Sequence, residues 1–352
     1  MGRLQLETYL ADLDWCANLP LSWEKLRGTT VVVSGATGMI GATLVDVLMR
    51  KNAADGLNCR VVALGRNTAK ACERLPYFDN PLFAFEQCDI SAPGACPQQP
   101  ADYVLHLAST THPKAYATQP ISTVQANVQG LFNLLDYAAR AKRFLFASSV
   151  EVYGQNRGDV ERFGEDYCGY LDCNTLRAGY PESKRVGEAL CQAYAAERGL
   201  DVVIPRLARC FGPTLLPSDT KALSQFLHKG TAGEDIVLKS EGLQEYSYLH
   251  VIDAVAGLLF CLLEGASGEA YNVAHPSCDG QLKRLAGLVA AEAGTNVLFD
   301  LPNAVEAAGF STATKALMDA TKLQSLGWAP RYNLETGVRT TFAALRQLWA
   351  EA

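Results

Sequence analysis

No run of apolar residues in the 352-residue chain approaches the ~18 that a helix needs to cross a bilayer, so no membrane span is expected. There is no basic surplus either. The 31 lysines and arginines face 37 aspartates and glutamates, and the net charge of −6 offers no broad basic surface to nucleic acid. The eleven cysteines contain no CxxC pair. The nearest two, Cys168 and Cys173, have no histidine at metal-ligand spacing, so no metal site is expected. Such scattered cysteines read as reduced thiols, small core residues of a cytoplasmic protein. The opening stretch "MGRLQLETYLADLDWCANLP" lacks a basic head followed by an apolar run, and Leu6 stands where a myristoylation signal needs serine or threonine. Neither a signal peptide nor a lipid anchor is expected. Internal repeats and low-complexity segments are also missing.

What remains is ordinary globular composition, 49% hydrophobic and 19% charged, at a length that suits one large domain or two joined lobes. Residues 4–18 have a helix-like apolar pattern that Pro20 ends. Thr30 to Ser34 is a β-branched apolar run, as a strand buried on both faces requires. Helical spacing follows from Ile40 to Arg50. Further strand-like runs lie at 60–64, 103–107, 143–147 and 201–208, with helical segments between them, notably 121–141 and 180–198. This alternation predicts an α/β fold with a doubly wound parallel sheet and helices on both faces. The expected organisation is an N-terminal helical extension over 1–27, a dinucleotide-binding domain over 28–210 to which 244–264 returns, and a smaller substrate lobe from 211–243 and 265–352.

Gly35, Gly38 and Gly41 form G-x-x-G-x-x-G between the first strand and its helix. The first glycine permits a tight turn. The second lets backbone approach a pyrophosphate. The third lets helix pack on strand, with the helix N-terminus facing the phosphates. At the end of the second strand a carboxylate would bond the ribose 2′-hydroxyl of NAD. The chain has "ALGRN" instead, and Arg66 there suits the 2′-phosphate of NADP; NAD stays open. Asp89, in "QCDI", is placed to meet the adenine edge.

"GYPESKR" sets Tyr180 and Lys184 four residues apart, on one face of a helix. An ammonium beside a phenol stabilises the phenolate, which can then take a hydroxyl proton as hydride leaves. These residues occur in a particular order. The glycine loop is followed by "CDI", "LHLAS", "ANVQGLFNLLDYA", "SSVEVYG", "YPESKRVGE", "RLARCFGP", "YLHVIDAV", "YNVA" and "LGWAPRYNLETGV". Over about residues 28–345 the chain resembles the extended short-chain dehydrogenase/reductase family of nucleotide-sugar epimerases, dehydratases and decarboxylases. The resemblance implies a Rossmann fold, a C-terminal α/β lobe for a nucleotide sugar, a tightly held NAD(P), and transient oxidation at sugar C4. It implies cofactor contacts from Thr37, Met39, Ile40, Ile90, Leu107, Ala108, Ser109 and Asn127, besides the glycines, Tyr180 and Lys184. It makes Ser149 the catalytic hydroxyl, Tyr180 the base and Lys184 its partner. It also implies a homodimer formed through helices 121–141 and 180–198, and a role in surface polysaccharide precursor synthesis.

Some positions depart from the family pattern. Dehydratases of dTDP-glucose place Asp-Glu after the catalytic Ser/Thr, whereas this chain has Val150-Glu151. Glu151 therefore reads either as a base for a carbon-bound proton or as a structural carboxylate. Arg209 stands where asparagine is usual, and Tyr246 where an arginine usually grips the diphosphate. Arg209 can supply that charge from another direction, a departure that weakens a UDP-glucuronate decarboxylase reading. Thr111 and His112 are expected at the mouth of the site and Lys221 near a phosphate, while His106 is expected to be structural. The expected activity is epimerisation or dehydration of a nucleotide sugar. The alternatives are decarboxylation, net reduction of a keto-sugar, which would consume added NADPH, and a silent NADP-binding regulator.

Overall fold

Val31, Val32 and Val33 are all fully buried, so the strand that carries them must be covered on both faces. The computed structural model describes residues 2–109, 120–300 and 314–350. The chain runs α1 (Glu7–Ala17), β1 (Thr30–Ser34), α2 (Met39–Asp55), β2 (Arg60–Gly65), α3 (Thr68–Arg74), β3 (Phe83–Gln87), β4 (Tyr103–His106), α4 (Pro120–Tyr137), β5 (Arg143–Phe146), β6 (Ser148–Ser149), α5 (Gly179–Arg198), β7 (Val202–Leu207) and β8 (Arg209–Phe211). It continues with α6 (Ala222–Thr231), β9 (Ile236–Leu238), β10 (Glu245–His250), α7 (Val251–Glu264), β11 (Ala270–Val273), β12 (Asp279–Gln281), α8 (Leu282–Ala293), β13 (Val297–Phe299), β14 (Lys315–Ala316), α9 (Thr321–Gln324) and α10 (Leu334–Trp349).

The large sheet has the order β11-β7-β5-β4-β1-β2-β3, with β6 also on β7, and every pairing is parallel. This is the doubly wound Rossmann arrangement that strand–helix alternation predicts. Side-chain alternation divides the core. Val31 and Val33 pack with Tyr9, Leu48 and Ile252, from α1, α2 and α7. Val32 packs with Leu131, Phe144 and Cys191, on the side of α4 and α5. All eleven cysteines are free thiols, five of them buried.

Three expected boundaries shift. The N-terminal segment is part of the helical layer rather than a separate extension, because α1 packs on α2 and α7. β11, expected in the second lobe, is the edge strand of the large sheet. Four residues are too few to show a period, and the buried Asn272 interrupts them. Its amide donates to the carbonyls of Phe163 (2.8 Å) and Asp319 (2.7 Å), which suits it to a buried strand. β10, in the segment expected to return to the dinucleotide-binding domain, instead joins β8, β12 and β14 in a second sheet. Arg209 and Tyr246 thereby come to lie on adjacent strands, in the register Tyr248↔Arg209.

Asp46 of α2 pins the N-terminus in place. Its fully buried carboxylate accepts from Arg3 Nε (2.7 Å) and Nη2 (2.9 Å), from the Tyr9 hydroxyl (2.6 Å) and from the Tyr77 hydroxyl (2.9 Å). Removing the acceptor strands a buried cation and two buried phenols. Asp46→Ala should cost about 3–5 kcal/mol in denaturant unfolding. A loss below about 1 kcal/mol would mean that the segment is held by apolar packing alone.

Candidate active site

In the large sheet the connections leave β1 towards β2 on one side and β4 on the other, so the loops after β1 and β4 diverge and open a crevice at the strands' carboxyl ends. A cavity of about 450 Å³ fills it. The glycine loop forms one wall. Gly35 has φ +74°, and a Cβ there would stand 2.7 Å from the Ala108 nitrogen. A Cβ on Gly41 would stand 2.2 Å from the Gly35 carbonyl oxygen. Only glycine lets β1, β4 and α2 come this close. Gly38 is the N-cap of α2, whose first N–H groups open towards the cavity wall. The crevice fits a dinucleotide: it has bare backbone where a pyrophosphate would lie, and Arg66, Lys70 and Asp89 line its outer end.

The expected cofactor residues line this cavity, namely Gly35, residues 37–41, Arg66, Asp89, Ile90 and residues 107–109. Asn127 is the exception and lies behind the wall. It is buried, accepts from the Ser109 hydroxyl at 2.7 Å and donates to the Ser183 hydroxyl at 2.8 Å. Its amide fastens α4 to α5 and to the end of β4. Asp89 accepts from the Ser91 backbone N–H (3.1 Å) and hydroxyl (2.6 Å), and these bonds hold its pKa down, with Arg66 adding to the effect.

Ser149, Tyr180 and Lys184 meet in the interior of the cavity. β6 and the 3₁₀ turn after it aim Ser149, whose hydroxyl accepts from the Glu151 N–H at 3.3 Å. It also hydrogen-bonds Tyr180. Burial pushes the phenol's pKa up; the Ser149 bond opposes this, and the charges of Glu151 and Cys210 add to it. The Lys184 ammonium donates to the Ala147 carbonyl at 2.7 Å and lies 4.6 Å from the centre of the Phe146 ring. Burial lowers its pKa to about 8, against the pull of Glu188 and Cys191. His106 is buried and bonds Ser34 at 2.7 Å, and burial lowers its pKa to about 3, so it is a neutral structural ring.

Glu151, Arg209 and Tyr246 form a separate group beside the cavity. Arg209 Nη2 stands 3.2 Å from Glu151 Oε1, and the guanidinium lies over the Tyr246 ring at 3.7 Å. Arg209, expected near a phosphate, is held in this internal ion pair, because β8 and the 3₁₀ turn after β6 bring the two side chains together. Lys221 lines the cavity and pairs with Asp219 at 3.2 Å. Thr111 and His112 lie outside the described residues. Sequence reasoning missed Lys70, Asp219 and Cys210 as cavity residues. Lys70 lies on the first turn of α3, where its backbone N–H donates to the N-cap Asn67 side chain at 2.9 Å.

Residues 31–274 match the NAD dependent epimerase/dehydratase family. Among curated proteins the chain is 30% identical over 326 residues to UDP-glucuronic acid decarboxylase 4 of Arabidopsis thaliana, covering 92% of this chain and 70% of that one. It is 29% identical over 318 residues to UDP-glucuronic acid decarboxylase 1 of Xenopus tropicalis, covering 90% and 72%. The fold is similar to that of a UDP-glucose 4-epimerase from Thermotoga maritima solved with UDP-glucose (TM-score 0.77, 22% identity, covering 91% and 99%). A UDP-glucuronic acid 4-epimerase from Bacillus cereus, solved with UDP-glucuronic acid and NAD, is equally similar (TM-score 0.77, 20% identity, covering 91% and 99%). The chain belongs to the NAD dependent epimerase/dehydratase family and is an enzyme that acts on a nucleotide sugar with a nicotinamide dinucleotide. Among the described residues no cluster of three or more metal-ligating side chains occurs, and no helix is long and apolar enough to cross a membrane.

The glycine loop can be tested directly. A Cβ on Gly38 would stand 3.2 Å from the Gly35 carbonyl oxygen, a contact to which the loop must yield by a few tenths of an ångström, and Gly38 lines the cavity. Gly38→Ala should weaken dinucleotide binding about tenfold or more, read by fluorescence titration, with thermal unfolding as the check that the fold is kept. Unchanged binding would place the cofactor elsewhere.

Proposed function

We propose that the enzyme oxidises the C4 hydroxyl of a nucleotide sugar and then moves a proton at a neighbouring carbon. The observation that carries this reading is the hydrogen-bonded Ser149–Tyr180 pair at the inner end of a dinucleotide crevice. A bound nicotinamide dinucleotide supplies the hydride acceptor. Ser149 holds the reacting oxygen and favours the phenolate, offsetting the burial that keeps Tyr180 protonated. Tyr180 takes the hydroxyl proton. The Lys184 ammonium, fixed by the Ala147 carbonyl, supplies positive charge one helical turn along α5. With C4 as a ketone, the adjacent C–H becomes acidic, and Glu151 is the nearby carboxylate able to take that proton. Dehydration and epimerisation at C3 or C5 use this step, whereas epimerisation at C4 needs only return of the hydride to the other face.

Decarboxylation of a UDP-glucuronate-type substrate is the second reading. The curated relatives and the placement of Arg209 beside Glu151 favour it. Either redox-neutral course retains its cofactor, while a net reductase would consume added NADPH. Tyr180→Phe should abolish C4 oxidation, followed by NMR on a panel of nucleotide sugars. Undiminished turnover would remove Tyr180 as the base.

NADP is the proposed cofactor. Gly65 leaves no carboxylate for a ribose 2′-hydroxyl, and Arg66 and Lys70 both line the outer end of the crevice. A phosphate there gains charge-assisted hydrogen bonds that NAD cannot make. Arg66→Ala should weaken NADP by about tenfold or more and NAD much less, read by calorimetry. Equal losses would remove the arginine's role. The proposed assembly is a homodimer through α4 and α5, where Ile121, Phe132 and Val186 are 75%, 37% and 43% exposed on the outer face.

A further inference from the structure

The Arg209 guanidinium is only half satisfied. Nη2 pairs with Glu151, the planar face rests on Tyr246, and Nη1 is out of water with no hydrogen-bond partner. Arginine does not shed its proton, so a buried N–H of this kind favours an arriving acceptor, and an anion most of all. Glu151 cannot serve both nitrogens, since its contact runs from one oxygen to Nη2. The free nitrogen is linked to the chemistry by a short chain of contacts. Arg209 holds Glu151, the Glu151 N–H donates to Ser149, and Ser149 bonds Tyr180. The residues on either side of Arg209, Ala208 and Cys210, line the cavity.

This placement limits which anion can arrive. A pyranose with its C4 oxygen at Ser149 and Tyr180 carries its nucleotide diphosphate at C1, across the ring. The substituent next to C4 is the one on C5. We propose that Arg209 is a receptor for a carboxylate at that position, so that the enzyme selects nucleotide hexuronates, and that the substrate takes Arg209 from Glu151. This rests on the nucleotide-sugar reading above. A carboxylate presents two oxygens to the two guanidinium nitrogens and matches their fork, which Glu151 does not. Two carboxylates on one guanidinium repel each other, and the Glu151 side chain, 39% exposed, has room to leave. Substrate binding thus frees Glu151 to act as a base only when the correct group has arrived. A neutral hydroxymethyl group leaves the internal pair closed.

The test is binding to Tyr180→Phe protein with its cofactor, so that turnover does not enter, using UDP-glucuronate and UDP-glucose as probes in calorimetry. The parent should prefer UDP-glucuronate by about tenfold or more. Arg209→Met should reduce that preference to about twofold or less, and Arg209→Lys should keep part of it. Glu151→Gln should tighten UDP-glucuronate several-fold, because the internal competitor is weakened, with less effect on UDP-glucose. Equal affinities in the parent, or equal losses of both ligands in Arg209→Met, would overturn the proposal and leave the nucleotide-sugar reading standing. Binding of neither probe would overturn both.

Discussion

The close approach of β1, β4 and α2 is the constraint on which the rest of the site depends. A methyl group at Gly35 would collide with the backbone at Ala108, and one at Gly41 with the Gly35 carbonyl. Because neither is present, the loop after β1 lies flat against the end of β4, and α2 starts at the floor of the crevice. The same strand ends extend through β5 to β6, so Ser149 emerges along the line of the crevice. α5 then needs only to cross behind β5 for Tyr180 and Lys184 to reach it. Phe146 and Gly187 fix that crossing, since a Cβ on Gly187 would meet the Phe146 ring at 2.4 Å.

Burial sets the electrostatics of this floor. Tyr180 and Lys184 are both almost wholly enclosed, and enclosure favours the neutral form of each. The phenol is pushed up and the ammonium down to about 8, so the two pKa values move apart. Ser149 favours the phenolate and the Ala147 carbonyl holds the ammonium in place. Burial thus keeps Tyr180 protonated, and proton transfer near neutral pH requires the opposing pull of Ser149 and of positive charge beside the phenol. Glu188 braces the same floor from below, accepting from Ser148 at 2.5 Å and pairing with Arg206 at 2.6 Å.

The departures from the family pattern make sense as a group once the second sheet is seen. An arginine at 209 and a tyrosine at 246 look like two unrelated changes in the sequence. On adjacent strands they form one object, a cation resting on an aromatic face, with Glu151 as its third member. The exchange keeps a positive charge beside the reacting centre and changes the strand that delivers it.

Much of the fold was legible in the sequence because strand segments buried on both faces must be apolar, and the runs at 31–33, 61–64 and 202–205 are. The glycine loop, Tyr180 and Lys184 were legible because local geometry fixes their residue types: a turn that needs glycine, and a helical spacing of four; Ser149 was legible only through the order of motifs that the chain shares with its family. Other features were not legible because they depend on contacts distant in sequence. Asn127 was expected at the cofactor and instead braces two helices, since burial decides what an amide can reach. β11 was expected in the second lobe because four residues carry no period. Lys70 entered the site only through the turn of α3. The sequence by itself determined the α/β class, the glycine-walled crevice and the placing of Tyr180 and Lys184 on one helical face, all set by short-range sterics and spacing. The pairing of Glu151 with Arg209 was decided only in the tertiary structure, because strand register brings together side chains 58 residues apart.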